Sequence, residues 1–203
     1  VEVVYERETQ DLGMERNHIA GIDIGVDNLA AVTSNTEGFT PLLINGRPLK
    51  SINSYYNQKK AKLQSTLESS QKTSSSLQEL THKRNCKVDN YLHHASKTVI
   101  SRLVEHNVGT LVIGKNPEWK QEINLGKVNN QNFVSIPHAR FIHQLTYKAK
   151  LVGIDVHITE ESYTSKCSFL DSEPLGKQEV YQGKRIHRGL FRSALGTLLN
   201  ADI

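Results

Sequence analysis

Short β-rich blocks separated by turn formers make up the first part of the chain. VEVVYE predicts a strand over Val1–Glu6, followed by a polar turn at Thr9–Gly13. The spacing predicts further strands over His18–Gly25, Leu29–Ser34 and Phe39–Ile44. The first two are joined by a tight Gly-Val-Asp-Asn link, and the last is closed by the turn pair Asn45-Gly46. Turn-length links between consecutive strands predict an antiparallel meander. The pattern then changes period. Leu49–Glu68 is polar and rich in Lys and Gln, which predicts an exposed helix, and Ser69–Ser76 is a Ser/Thr-rich break. Over Leu77–Asn107 a long helix is predicted, because Val88, Leu92, Ala95, Val99 and Leu103 recur every three or four residues as one apolar stripe. Lys83, Arg84, Lys87, Lys97 and Arg102 fall on its other faces and read as a solvated surface.

GTLVIG predicts a short apolar strand over Gly109–Gly114, of the kind buried on both faces. Lys115–Val134 carries no period. Pro137 opens a helix whose face includes Ile142, Leu145, Ala149 and Val152, and Gly153 ends it. Ile154–Thr159 is a strand running into Glu160-Glu161, and the remainder reads as loop and short strands through Leu190–Asp202. Three antiparallel strands, then helices, strand, helix, strand, is the element order of a ribonuclease-H-like α/β domain, a mixed sheet with flanking helices. Other α/β folds share similar orders.

At 203 residues the chain can bury one good-sized core with a small appendage. It begins with Val1 rather than Met, which predicts a fragment or processed product. No apolar run reaches the length of a membrane span and no signal peptide is visible. The net charge of +4 is compatible with nucleic acid without establishing it. Cys86 and Cys167 lie far apart among polar neighbours and read as reduced thiols, since a structural zinc site needs about four ligands. No zinc is expected. The adjacent His93 and His94 read as surface residues.

Asp23 is the candidate for chemistry. A lone carboxylate inside an apolar strand is costly to bury unless a cation compensates it, and a divalent metal does so when other acids converge. Glu160, Glu161 and Asp202 are the other acids that three distant segments could bring together. Carboxylates suit Mg²⁺ or Mn²⁺, and in phosphodiester hydrolysis a pair of such ions about 4 Å apart activates water and stabilises the leaving oxygen. Side chains alternate along a strand, so only one of Glu160 and Glu161 can face such a centre. The strand Gly109–Gly114 ends without the acid that a simple version of this centre would carry there. Tyr163, Thr164, Ser165 and Lys166 offer an aromatic face, hydroxyls and a cation for a phosphate backbone. Lys120 and Arg140 sit in a segment where cations, amides, Trp119 and Phe133 interleave, a composition suited to single strands. Each feature also has a plain structural reading: Asp23 as a backbone cap, the glutamates as surface residues leaving a strand, Asp202 as a frayed end, the polar segments as ordinary loops.

Together, GIDIGVDNLA, HKRNCKVDNYLHHAS, NNQNFVSIP, YKAKLVGI, EESYTSKCS and RGLFRSALGTLLNAD resemble the TnpB (OrfB) proteins of insertion-sequence transposons, with the Fanzor proteins as eukaryotic relatives. The resemblance runs from about Gly21 to the end of the chain. It implies a transposition-linked, RNA-guided DNA endonuclease with a RuvC-type nuclease domain, acting with guide RNA on DNA in the cytoplasm, at the nucleoid. Asp23 matches the family's first acid and Asp202 its third. The common family form carries its glutamate where this chain has Gly114; a subgroup shifts it to the next strand ahead of the YTS motif, which points to Glu161, with Glu160 as the fallback. The family's zinc ribbon keeps only Cys167 here, with Leu170 where its partner would stand, so the insert over 167–187 is expected to fold without zinc. The implied organisation is a remnant of an N-terminal wedge over 1–17 and a RuvC-like domain over 18–203 with a helical insertion at 48–107. The alternative is a catalytically inactive or truncated module that binds nucleic acid without cutting it; a general ribonuclease-H-like resolvase is a third reading, which the YTSK loop disfavours.

Overall fold

The computed structural model of the chain describes residues 4, 6, 8–67, 71–115, 136–160, 163, 164, 166–187 and 189–201. In chain order the elements are β1 (Glu15–Asp23), β2 (Asn28–Ser34), β3 (Leu42–Asn45), α1 (Arg47–Gln64), α2 (Ser75–Glu105), β4 (Val108–Gly114), α3 (His138–Leu151), β5 (Asp155–Thr159), β6 (Lys184–His187), β7 (Leu190–Arg192) and β8 (Leu198–Asn200). The first five strands form one sheet in the order β3-β2-β1-β4-β5. β1 pairs antiparallel with β2, and β2 with β3. β1 pairs parallel with β4, and β4 with β5. This is the ribonuclease-H-like mixed sheet that the element order predicts, and the first three strands are the expected meander. The last three strands form a separate antiparallel sheet, β6-β7-β8.

One face of the large sheet holds the core. Ala20 and Ile22 of β1 stand beside Leu111 and Ile113 of β4 in register, and all four are buried. They pack with the α2 stripe of Val88, Leu92, Ala95, Val99 and Leu103 and with Phe141, Ile142, Leu145 and Ala149 of α3. The predicted stripe is thus the buried one. On the opposite face Gly21, Asp23, Thr110 and Val112 all keep some exposure, so β4 is fully buried on its core side only. That departs from the double burial expected of GTLVIG.

Element ends moved where local chemistry competes with the apolar pattern. β3 begins at Leu42 rather than Phe39, because Phe39 N–H closes a turn onto the Thr36 carbonyl and Pro41 has no N–H to offer a ladder. α1 starts at Arg47, with Pro48 in its first turn, and stops at Gln64. The Ser65 and Thr66 hydroxyls bond back to the carbonyls of Lys62 and Leu63. Ser74 caps α2, its Oγ accepting from Leu77 N–H at 3.3 Å. Gly153, at φ +81°, turns the chain from α3 into β5. The predicted turn near Thr9–Gly13 includes Gly13 N–H bonded to Asp11 Oδ1 at 2.9 Å. The strand expected over Val1–Glu6 and the aperiodic segment after Lys115 fall largely outside the described residues.

Candidate functional site

β1 carries Asp23 at its C-terminal end, exposed, on the sheet face away from the core. Its antiparallel partner on β2 is Ala31. The parallel register pairs Ile22 with Ile113, so the next step sets Asp23 beside Gly114. Gly114 in turn pairs with Thr159 at the end of β5. Ala31, Asp23, Gly114 and Thr159 therefore form one row at the same end of the sheet. β5 lies two strand spacings from β1, about 10 Å between backbones. That gap is spanned at the centre by a residue without a side chain. Glu160, exposed, follows Thr159 directly. Lys115 N–H donates to the Thr159 carbonyl at 2.8 Å, extending the β4–β5 pairing one residue past Gly114.

The turn after Asp23 is braced from both sides. His138, almost fully buried at the start of α3, donates Nε2–H to the Gly25 carbonyl at 3.2 Å. At the start of α1, Gly46 N–H donates to the Asp27 carbonyl at 2.7 Å. A Cβ at position 46 would lie 2.1 Å from the Val26 carbonyl oxygen, so only glycine permits this approach. Lys50 of α1 pairs with the Asp27 carboxylate. These contacts join residues 19 to 113 apart in sequence, and the sequence patterns carried no sign of them. A carboxylate on a central strand, with both flanking helices locked to the turn that follows it, is held in a fixed position.

Among the described residues no group of three His, Cys, Asp or Glu side chains could hold a metal ion. Glu161 and Asp202 lie outside the described residues, as do Ser165 and Lys120. Of the remaining predicted contacts, Tyr163 takes a left-handed backbone conformation at φ +66°, unusual for an aromatic residue. Its carbonyl accepts from Lys166 N–H at 3.0 Å and Cys167 N–H at 3.2 Å. The Tyr163 and Thr164 side chains are exposed. Lys166 Nζ lies 5.8 Å from the centre of the Tyr181 ring. Arg140 pairs with Asp89 and so ties α3 to α2.

The segment after Cys167 is held by two carboxylates that the sequence reading did not single out. Glu173, only 8% exposed, accepts from Ser168 N–H at 2.7 Å and from Gln182 N–H at 3.0 Å. Asp171 Oδ2 accepts from the Ser168 hydroxyl and from Ala194 N–H. Cys167 is buried, with Sγ 3.6 Å from the Gly176 carbonyl. Chain positions 168, 182 and 194 are thus gathered by side-chain oxygens. The residue types were legible; their partners were set by the loop's closure.

Two family models cover the chain in succession. OrfB_IS605, described as a probable transposase, matches residues 2–120. A Cas12f1-like TNB-domain model matches residues 138–203. A TnpB-like protein, MJ0751 of Methanocaldococcus jannaschii, is 29% identical over 157 residues, covering 73% of this chain and 55% of that protein. The fold is similar to a Cas12f1 in a cryo-EM complex with sgRNA and target DNA, at TM-score 0.68 and 17% identity, over 93% of this chain and 48% of that one. It is also similar to a CRISPR-Cas12f ternary complex at TM-score 0.62 and 15% identity, over 98% of this chain and 39% of that one. The chain spans about half the length of the relatives it matches. With more than half of its residues matched by the first model, the chain belongs to the OrfB_IS605 family of probable transposases.

Proposed function

We propose that the chain is the RuvC-like portion of a transposon-associated, metal-dependent, RNA-guided DNA endonuclease, with Asp23, Glu161 and Asp202 as its acids. The observation that carries this reading is the row Asp23–Gly114–Thr159 at one end of the mixed sheet. The carboxylate missing from β4 leaves a gap beside Asp23, and the strand beyond β4 runs directly into two glutamates. Glu161 follows Thr159, which shares Asp23's row, by two residues, the repeat of a strand. Glu160 is the alternate ligand. The donor set is all hard oxygen, which fits Mg²⁺ or Mn²⁺. Such ions would supply Lewis acidity at a phosphodiester and an activated water. The chain's own part is to fix Asp23 through the braced turn, and to present Tyr163, Thr164, Ser165 and Lys166 to the strand being cut. Lys120 and Arg140 are proposed as further backbone contacts. Residues 1–17 are assigned to a wedge remnant, 18–203 to the nuclease domain, 48–107 to its helical insertion and 167–187 to an insert that folds without zinc.

Guide RNA and target DNA as partners are part of the same proposal. It is supported by membership of the family and by the titles of the Cas12f complexes that share the fold. Calorimetric titration with Mn²⁺ tests it directly: wild type should bind with a stoichiometry near two and Asp23→Ala should lose that binding. Glycine at position 114 favours a second reading, a module that holds nucleic acid without cutting. Nucleic-acid binding with no carboxylate-dependent uptake of metal would establish the second and refute the first.

A further inference from the structure

We propose that His82 and Cys86 form half of a zinc site, which the same two residues of a second copy of this chain complete. The pair lies on α2, four residues apart, where side chains one turn along a helix meet. His82 Nε2 and Cys86 Sγ stand 3.6 Å from each other. A tetrahedral Zn²⁺, with Zn–S about 2.3 Å and Zn–N about 2.0–2.1 Å, sets its nitrogen and sulfur donors about 3.6 Å apart. The two atoms are thus already spaced as neighbouring corners of that tetrahedron. Thiolate and imidazole also select zinc over the hard ions that suit the acids around Asp23. The sequence reading expects no zinc because four ligands are not at hand within one chain. That count changes when two chains share the ion.

One chain cannot close the site. Among the described residues no group of three His, Cys, Asp or Glu side chains could hold a metal ion. A structural zinc takes four ligands, so two corners stay open. Both His82 and Cys86 are exposed. At about 100° of turn per residue they lie on the side of α2 opposite its buried stripe of Val88, Leu92, Ala95, Val99 and Leu103. Lys83 and Lys87 are each turned about 100° further round the helix, so neither shares the line of the pair. Lys83 is also matched to Glu79 at 2.6 Å. A two-fold axis through the ion lays one α2 across the other, and each copy contributes one sulfur and one nitrogen. Each thiol releases its proton to solvent as it binds. Two thiolates then balance Zn²⁺, so the shared ion adds no charge between helices that carry lysines. Cys167 is buried, its sulfur against the Gly176 carbonyl, and takes no part.

The test is sedimentation velocity of the full chain with Zn²⁺, with EDTA and with reductant as separate arms. Zn²⁺ should convert monomer to dimer at one ion per two chains. EDTA should reverse this and reductant should not. Co²⁺ in place of zinc should give the intense visible absorption of tetrahedral cobalt and a thiolate-to-metal charge-transfer band, which an all-oxygen site cannot produce. Cys86→Ser and His82→Gln should each abolish that band and weaken zinc-driven dimerisation by more than about 100-fold, the most that loss of an outer-shell partner costs. Raising salt should tighten the dimer by screening Lys83 and Lys87 across the axis. Both substituted side chains are exposed, and circular dichroism melts check that α2 is intact. The proposal is overturned if Zn²⁺ leaves the chain monomeric, if one ion binds per chain, or if the dimer survives Cys86→Ser. A dimer that resists EDTA and yields to reductant is a Cys86 disulfide and overturns it too. Asp23→Ala should keep the cobalt band, so failure here leaves the nuclease reading standing, and failure of Mn²⁺ uptake leaves the zinc site standing.

Discussion

Replacing Glu173 by Gln removes a charge from a nearly buried loop while keeping its volume. Each carboxylate oxygen now accepts one backbone N–H, from Ser168 at 2.7 Å and from Gln182 at 3.0 Å. Charge-assisted bonds of this kind are worth about 1.5–3 kcal/mol each. In the variant one oxygen remains, and the new NH₂ group confronts the other N–H as donor against donor. One bond is lost outright and the survivor loses its charge assistance, so the loop should be destabilised locally by about 2–4 kcal/mol. The effect is confined to the segment after Cys167, because Glu173 bridges positions only five and nine residues away. Amide hydrogen exchange by NMR reads it. Protection at Ser168 and Gln182 should fall about 30- to 1,000-fold, at about 1.4 kcal/mol per decade, while the amides of β1 and β4 stay unchanged. Chelator added to wild type should alter neither. If both amides keep their protection in Glu173→Gln, the carboxylate is not what gathers this loop. If chelator alone strips protection, a metal is, and the carboxylate account is wrong.

Two further substitutions probe the elements around the site. Gly46→Ala drives a Cβ into the Val26 carbonyl and parts α1 from the β1–β2 turn. It should cost about 2–4 kcal/mol in chemical denaturation, and a loss under 0.5 kcal/mol would refute the close approach as a requirement. Burial, and next the nearby Lys148, hold the His93 imidazole below its ordinary 6.5; burial, then Lys97, lowers the Lys148 ammonium from 10.5. Both groups bind fewer protons folded than unfolded, so stability rises with pH across the window just below each ordinary value and falls as His93 is forced to protonate. Lys148→Met should move the His93 NMR titration midpoint upward, and an unmoved midpoint would show that Lys148 exerts no field there.

The buried α2 stripe, the meander and the order of elements were legible because burial enforces a period, 3.6 residues for a helix and two for a strand, that local sequence displays. Asp23, the paired glutamates and the YTSK motif stood out as candidates by residue type and spacing alone. Tertiary structure alone decided that Gly114 stands beside Asp23 and that β5 is the next strand over, because parallel register is set by packing between segments far apart in the chain. The same holds for the brace from His138, the close approach at Gly46 and the gathering of loop amides by Glu173, each a contact between residues whose local sequence gives no sign of the partner.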